Sequence, residues 1–132
     1  MHHQLIILLC KLLFFFVEVV LSGTSFVSKG STISLMCNAT GDDYAPDAVD
    51  WFINGRIVNH KTMPRVRIYN EADNARRTLH STLEIRRSVM SDKGIYVCRG
   101  PDSKTRIKTV YLLDGMYHCS CWEERFGLLK LG

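Results

Sequence analysis

Cys37, Trp51 and Cys98, with the run Asp92-Lys93-Gly94-Ile95-Tyr96-Val97-Cys98 leading into the last of them, constrain this chain more than any other feature. Their intervals let a disulfide join two facing β-sheets, with the Trp51 indole packed against the sulfurs. Cysteines that point inward also fix parity, because side chains alternate along an extended strand and the neighbours of each cysteine must point outward. A chain of 132 residues holds one such sandwich, of about 100 residues, with short flanking segments and no second domain of that size.

Alternation counted from these fixed points predicts the strands. Ile33, Leu35 and Cys37 face in along one strand, fed by a turn at Gly30 and preceded by a short first strand over 26–29. Val49 and Trp51 face in along the next, which turns Asp50 and Phe52 outward. Asn54-Gly55 is a hairpin signal leading into a short strand over 56–58. Residues 65–69 and 78–85 alternate again on either side of the polar stretch 70–77, with Leu83 and Ile85 inward. Over 95–99, Tyr96 and Cys98 face in while Ile95 and Val97 face out. Two parities bury apolar residues in the last strand, 106–113, and Val110 and Leu112 inward with Tyr111 outward is the preferred one. The expected fold class is all-β, a two-sheet Greek-key sandwich.

Leu35-Met36-Cys37, Val49-Asp50-Trp51-Phe52, Ser81-Thr82-Leu83-Glu84-Ile85 and Asp92-x-Gly94-x-Tyr96-x-Cys98 together resemble the I-set and V-set domains of immunoglobulin-superfamily cell-surface and secreted proteins, over residues 26–113. The chain is similar in flavour to invertebrate lachesin-like and two-Ig-domain adhesion proteins. That resemblance implies an immunoglobulin-like sandwich and a role in adhesion or receptor recognition, although a fold by itself names no partner. It also implies structural roles for Tyr96, as the tyrosine corner of strand F, and for Arg65, paired with Asp92 of the turn before it.

Ahead of the sandwich, the chain is apolar from Leu5 through Leu9 and from Leu12 through Val17, and Val20 and Ser22 offer small residues for cleavage. This predicts a secretory signal peptide over residues 1–22, because Lys11 cuts the apolar run well short of the roughly 20 residues that a membrane span needs. The domain then occupies 23–113, and 114–132 is a tail of unknown structure. Removal of Cys10 with the leader leaves Cys37, Cys98, Cys119 and Cys121, an even number suited to an oxidising compartment. The expected location is secreted and extracellular, or the cell surface if the chain is a fragment of an anchored protein. Membrane association is expected only in a longer native chain. Three readings of the tail stay open: Cys119 pairs with Cys121, one or both pair with another chain, or the tail is a divergent or truncated end of a larger multi-Ig receptor.

A net charge of +4, from 17 Lys and Arg against 13 Asp and Glu, is only mildly basic and does not point to nucleic acid. Arg65, Arg67, Arg76, Arg77, Arg86, Arg87, Lys104, Arg106 and Lys108 are spread over three strands and their turns, so glycosaminoglycan binding is expected to be weak at most. His60, His80 and His118 lack the partner spacing of a catalytic nucleophile, and no phosphate loop or carboxylate pair accompanies them, so no enzyme is expected. His118-Cys119-x-Cys121 lacks a fourth ligand of matching spacing, so no metal and no cofactor is expected.

The two outer faces differ in prospect. Asn38-Ala39-Thr40 is a glycosylation sequon whose Asn38 faces out beside polar Ser34, Thr82, Glu84 and Arg86. On the other sheet Phe52, Ile95 and Val97, joined by Tyr111, form an outward apolar strip on strands C, F and G in the family's lettering. That strip is the predicted protein-binding surface, used for homophilic or heterophilic pairing with an immunoglobulin-superfamily protein. The alternative is an immune-type binder that reads ligands through the loops 41–48 and 100–105.

Overall fold

The computed structural model describes residues 17–114. Most of the expected leader and nearly all of the tail, with Cys10, His118, Cys119 and Cys121, lie outside the described residues. The strands are β1 (Glu18–Gly23), β2 (Phe26–Ser28), β3 (Ile33–Thr40), β4 (Asp50–Ile53), β5 (Arg56–Ile57), β6 (Val66–Asp73), β7 (Thr78–Ile85), β8 (Gly94–Arg99) and β9 (Thr105–Leu113). They form two sheets, ordered β1-β3-β7-β6 and β2-β9-β8-β4-β5. Only β2 and β9 run parallel; every other pair is antiparallel.

The core lies between the sheets, where the inward positions of both meet. Ile33, Leu35, Leu83 and Ile85 of one sheet pack with Trp51, Tyr96, Val110 and Leu112 of the other. Cys37 and Cys98 are joined across them, with Cα atoms 6.4 Å apart. The closed loop stabilises the fold by about 4 kcal/mol in the chain-entropy account. Trp51 brings one polar atom into this apolar layer, and its Nε1–H donates to Ser81 Oγ at 2.9 Å, so the buried donor is satisfied.

The hairpin between β4 and β5 is closed by Asn54 and Gly55, both with positive φ, 50° and 81°. That is the backbone a two-residue turn requires to match strand twist. Asn54 also reaches across to strand β8: its Oδ1 accepts from the Ile95 N–H at 2.9 Å and its Nδ2 donates to the Lys93 carbonyl at 3.3 Å. Gly94 permits this approach, since a Cβ there would lie 2.1 Å from Asn54 Oδ1.

Residues 18–23, expected at the end of the leader and the start of the domain, form β1, which pairs along β3 from Glu18↔Thr40 to Gly23↔Leu35. Val19 is 1% exposed and belongs to the core, and Lys104 Nζ donates to the Val17 carbonyl at 2.9 Å. The strand expected over 65–69 continues to Asp73, because its polar second half pairs with β7 as far as Asp73↔Thr78. It is an edge strand, exposed along most of its length, which is why its sequence reads as a loop.

Candidate protein-recognition face

Antiparallel registers bring outward side chains of four strands into line. Phe52 lies opposite Ile57 on one side and Val97 on the other, and Val97 lies opposite Ile107. The row Ile57, Phe52, Val97, Ile107 therefore crosses β5, β4, β8 and β9 without a polar interruption. At strand spacings of about 4.8 Å it is roughly 14 Å long. Its ends are open, Ile57 being 50% and Ile107 67% exposed, while Phe52 and Val97 between them are half-buried. Ile95 points the same way two residues along β8 and is 49% exposed.

Arg99 caps one side of this row. Its guanidinium lies 4.9 Å from the centroid of the Phe52 ring and is held there by Asp50, whose Oδ2 accepts from Nη2 at 2.8 Å and from Nε at 3.3 Å. Both partners remain substantially exposed, so the ion pair adds little stability by itself. Its consequence is local: a cation covers part of the aromatic surface in the free domain.

The structure places Phe52, Val97 and Ile95 of the sequence-predicted strip on one outer face, with Tyr111 on the same face two residues along β9 from Thr109, the residue opposite Ile95. Tyr111 stacks on Phe26 of β2, with centroids 5.1 Å apart and rings inclined by 16°. Ile57 and Ile107 are the residues that sequence reasoning missed. The two-residue turn at Asn54-Gly55 already set Phe52 opposite Ile57, and the parity that buries Val110 already turned Ile107 outward.

The outer face of β1-β3-β7-β6 is mixed. Asn38 is half-buried between Val20 and His80, and its Oδ1 lies 2.6 Å from His80 Nδ1. Ser34, Glu84 and Arg67 form one polar rung. Met36 and Tyr69 are exposed, but Thr82 stands between them.

Tyr96 and Arg65 tie the lower turn to the sandwich. The Tyr96 hydroxyl donates to the Asp92 carbonyl, and burial pushes its pKa well above the ordinary tyrosine value. The Arg65 fork meets Asp92 with two 2.9 Å bonds, and Asp92 Oδ2 also accepts from the Val89 N–H at 2.8 Å.

At the opposite end, the loops 41–48 and 100–105 enclose a cleft of about 470 Å³ whose lining includes Asp42, Asp43, Asp47, Asp102 and Tyr44. Val17 forms part of the same wall, so the backbone enters the sandwich beside these loops. Among the described residues, no group of three His, Cys, Asp or Glu side chains is placed to hold a metal ion.

Residues 18–100 match the family model of the immunoglobulin domain, and the chain belongs to that family. The match begins at the first residue of β1. The muscle M-line assembly protein unc-89 of Caenorhabditis elegans is 30% identical over 84 residues, which is 64% of this chain and 1% of that protein. A chain in the crystal structure of Dpr2 Ig1-Ig2 in complex with DIP-Theta Ig1-Ig3 is similar with a TM-score of 0.62 and 16% identity, over 75% of this chain and 50% of the other. At that identity the likeness is one of fold.

Proposed function

We propose that this chain is an extracellular protein-recognition module, secreted or displayed at a cell surface, that binds another immunoglobulin-superfamily protein through the row Ile57, Phe52, Val97 and Ile107. The supporting observation is the row itself, four apolar side chains contiguous across four strands and open at both ends. A partner with immunoglobulin domains is suggested by the solved structure of similar fold, which is a complex of Dpr2 with DIP-Theta. The disulfide between Cys37 and Cys98 suits an oxidising compartment. Adhesion or receptor signalling is the role this reading assigns, with no catalytic step.

Magnitude decides the kind of binding. Full burial of such a side chain stabilises by about 1.5–3 kcal/mol, and roughly half of that remains available here, so the row supplies about 3–6 kcal/mol. Association costs at least about 4 kcal/mol in lost freedom. The row therefore anchors a weak contact that multiplies through avidity between surfaces rather than a tight soluble complex.

On the same reading Asn38 carries a glycan that keeps the other sheet out of the interface. Asn38→Gln is expected to raise electrophoretic mobility by one glycan while leaving binding intact, and unchanged mobility would remove this element. Recognition through the loops 41–48 and 100–105 has less support, because the chain enters beside them at Val17. The two are separated by displaying the domain multivalently against a panel of immunoglobulin ectodomains that includes itself. Phe52→Arg is expected to abolish binding and Asp47→Lys to spare it; the reverse pattern would establish the loop reading.

A further inference from the structure

The arginines that look dispersed in sequence do not stay dispersed in the fold. Four of them, Arg65, Arg67, Arg86 and Arg87, together with Pro64, line one open groove of about 430 Å³ where β6 meets the end of β7. Its volume lies within the roughly 300–1,000 Å³ common among ligand sites. Hairpin pairing produces the convergence: Val66 lies opposite Ile85, so the residues just before β6 and just after β7 are neighbours.

The four guanidinium groups are not equally committed. Arg65 is held by Asp92 and by the Arg87 carbonyl, and Arg86 Nε donates to Glu84 at 2.8 Å. Arg67 lies opposite Glu84 and forms no ion pair among the described residues. The Arg87 side chain forms no ion pair among the described residues. Two carboxylates, Glu84 and Asp92, thus face four guanidinium groups, and the groove keeps an excess of positive charge with donors on Arg67 and Arg87 free to turn to an anion.

We infer that this groove binds a sulfated glycosaminoglycan, with Arg67 and Arg87 as the contact residues and Arg65 and Arg86 as the braced floor. Guanidinium forks match sulfate oxygens two at a time, and an open groove admits a chain passing through it. A sulfated glycan suits the oxidising, extracellular setting in which the disulfide persists. The groove lies on the sheet opposite the apolar row, so this site stands or falls independently of the protein-binding reading.

The test uses heparin and fully desulfated heparin as probes, with the double variant Arg67→Gln/Arg87→Asn. Asparagine is chosen because Arg87 has φ 52°, a left-handed conformation that asparagine adopts more readily than most residues. Arg76→Gln/Arg106→Gln removes the same charge at other exposed positions and serves as control. Loss of charge-assisted bonds from two arginines is expected to weaken heparin binding at least about tenfold, against less than about twofold for the control. Desulfated heparin should bind neither protein measurably. Equal losses in the two variants, equal binding of desulfated heparin, or no retention of the wild-type protein at physiological salt would each overturn the site. Thermal unfolding of the groove variant within a few degrees of wild type shows that the loss is one of binding and not of fold.

Discussion

The two outer faces of the sandwich are built by the same alternation, yet they present different surfaces. On β2-β9-β8-β4-β5, Ile57, Phe52, Val97 and Ile107 follow one another across four strands. On β1-β3-β7-β6, Met36 and Tyr69 are also exposed, but Thr82 divides them, and the neighbouring rungs carry Ser34, Glu84 and Arg67 or Asn38, His80 and Glu71. The number of exposed apolar side chains does not separate the faces; their contiguity does. A partner gains free energy from a patch that excludes water as a unit, and a polar side chain within the patch must find its own hydrogen bond when it is covered.

Breaking the tie beneath both faces gives the largest effect. Cys37→Ala/Cys98→Ala is expected to cost about 4 kcal/mol in denaturant unfolding, and reduced wild-type protein is expected to lose about the same. A loss below about 1 kcal/mol would mean that the apolar core holds the sheets without the bond.

Gly94→Ala should discriminate between the faces. The new Cβ would meet the Asn54 side chain at a residue whose φ is 144°, and Asn54 sets the register of Phe52 against Ile57. We expect a loss of about 1–3 kcal/mol, with hydrogen exchange accelerated in β4 and β5 and unchanged in β1 and β6. Uniform acceleration would show that the turn does not act on one face alone.

A smaller effect tests the lower turn. Tyr96→Phe removes the donor to the Asp92 carbonyl and is expected to cost about 1 kcal/mol near neutral pH. Burial raises the Tyr96 pKa above its ordinary value of 10.0, so its protonated form is favoured by folding. The stability this provides is complete below pH 10 and declines as pH rises from there toward the folded-state pKa, where the unfolded phenol ionises first. Urea unfolding across that range should show a steeper alkaline decline for wild type than for Tyr96→Phe, and parallel declines would contradict the assignment.

Much of this arrangement is legible in the sequence because the cysteines fix inward parity. Parity alone turns Phe52, Ile95 and Val97 outward, and Val110 and Leu112 bury as that pattern requires. Strand β1 is not legible in the same way. Its Val19-Val20-Leu21 continues an apolar stretch that also fits a leader, and its pairing with β3 and the burial of Val19 are not carried by the sequence pattern. The second half of β6 is polar because it lies at an edge, so composition conceals a strand that its register with β7 reveals. Ile57 and Ile107 escape a reading made strand by strand, since their importance lies in what stands opposite them. The arginine groove escapes for the same reason: residues far apart in the chain meet only when the hairpin closes.

The most direct test of the central claim is the same substitution on each face. Ile107→Arg and Met36→Arg place one guanidinium on each sheet at exposed positions, where neither should alter unfolding by more than about 0.5 kcal/mol. Binding of the multivalent domain to its partner in the ectodomain panel would then be measured for both. Ile107→Arg is expected to weaken binding by at least about thirtyfold, since it sets a charge at the exposed end of the apolar row, while Met36→Arg is expected to change it by less than about twofold. Binding that survives Ile107→Arg and is lost with Met36→Arg would place recognition on the other sheet and contradict the central claim.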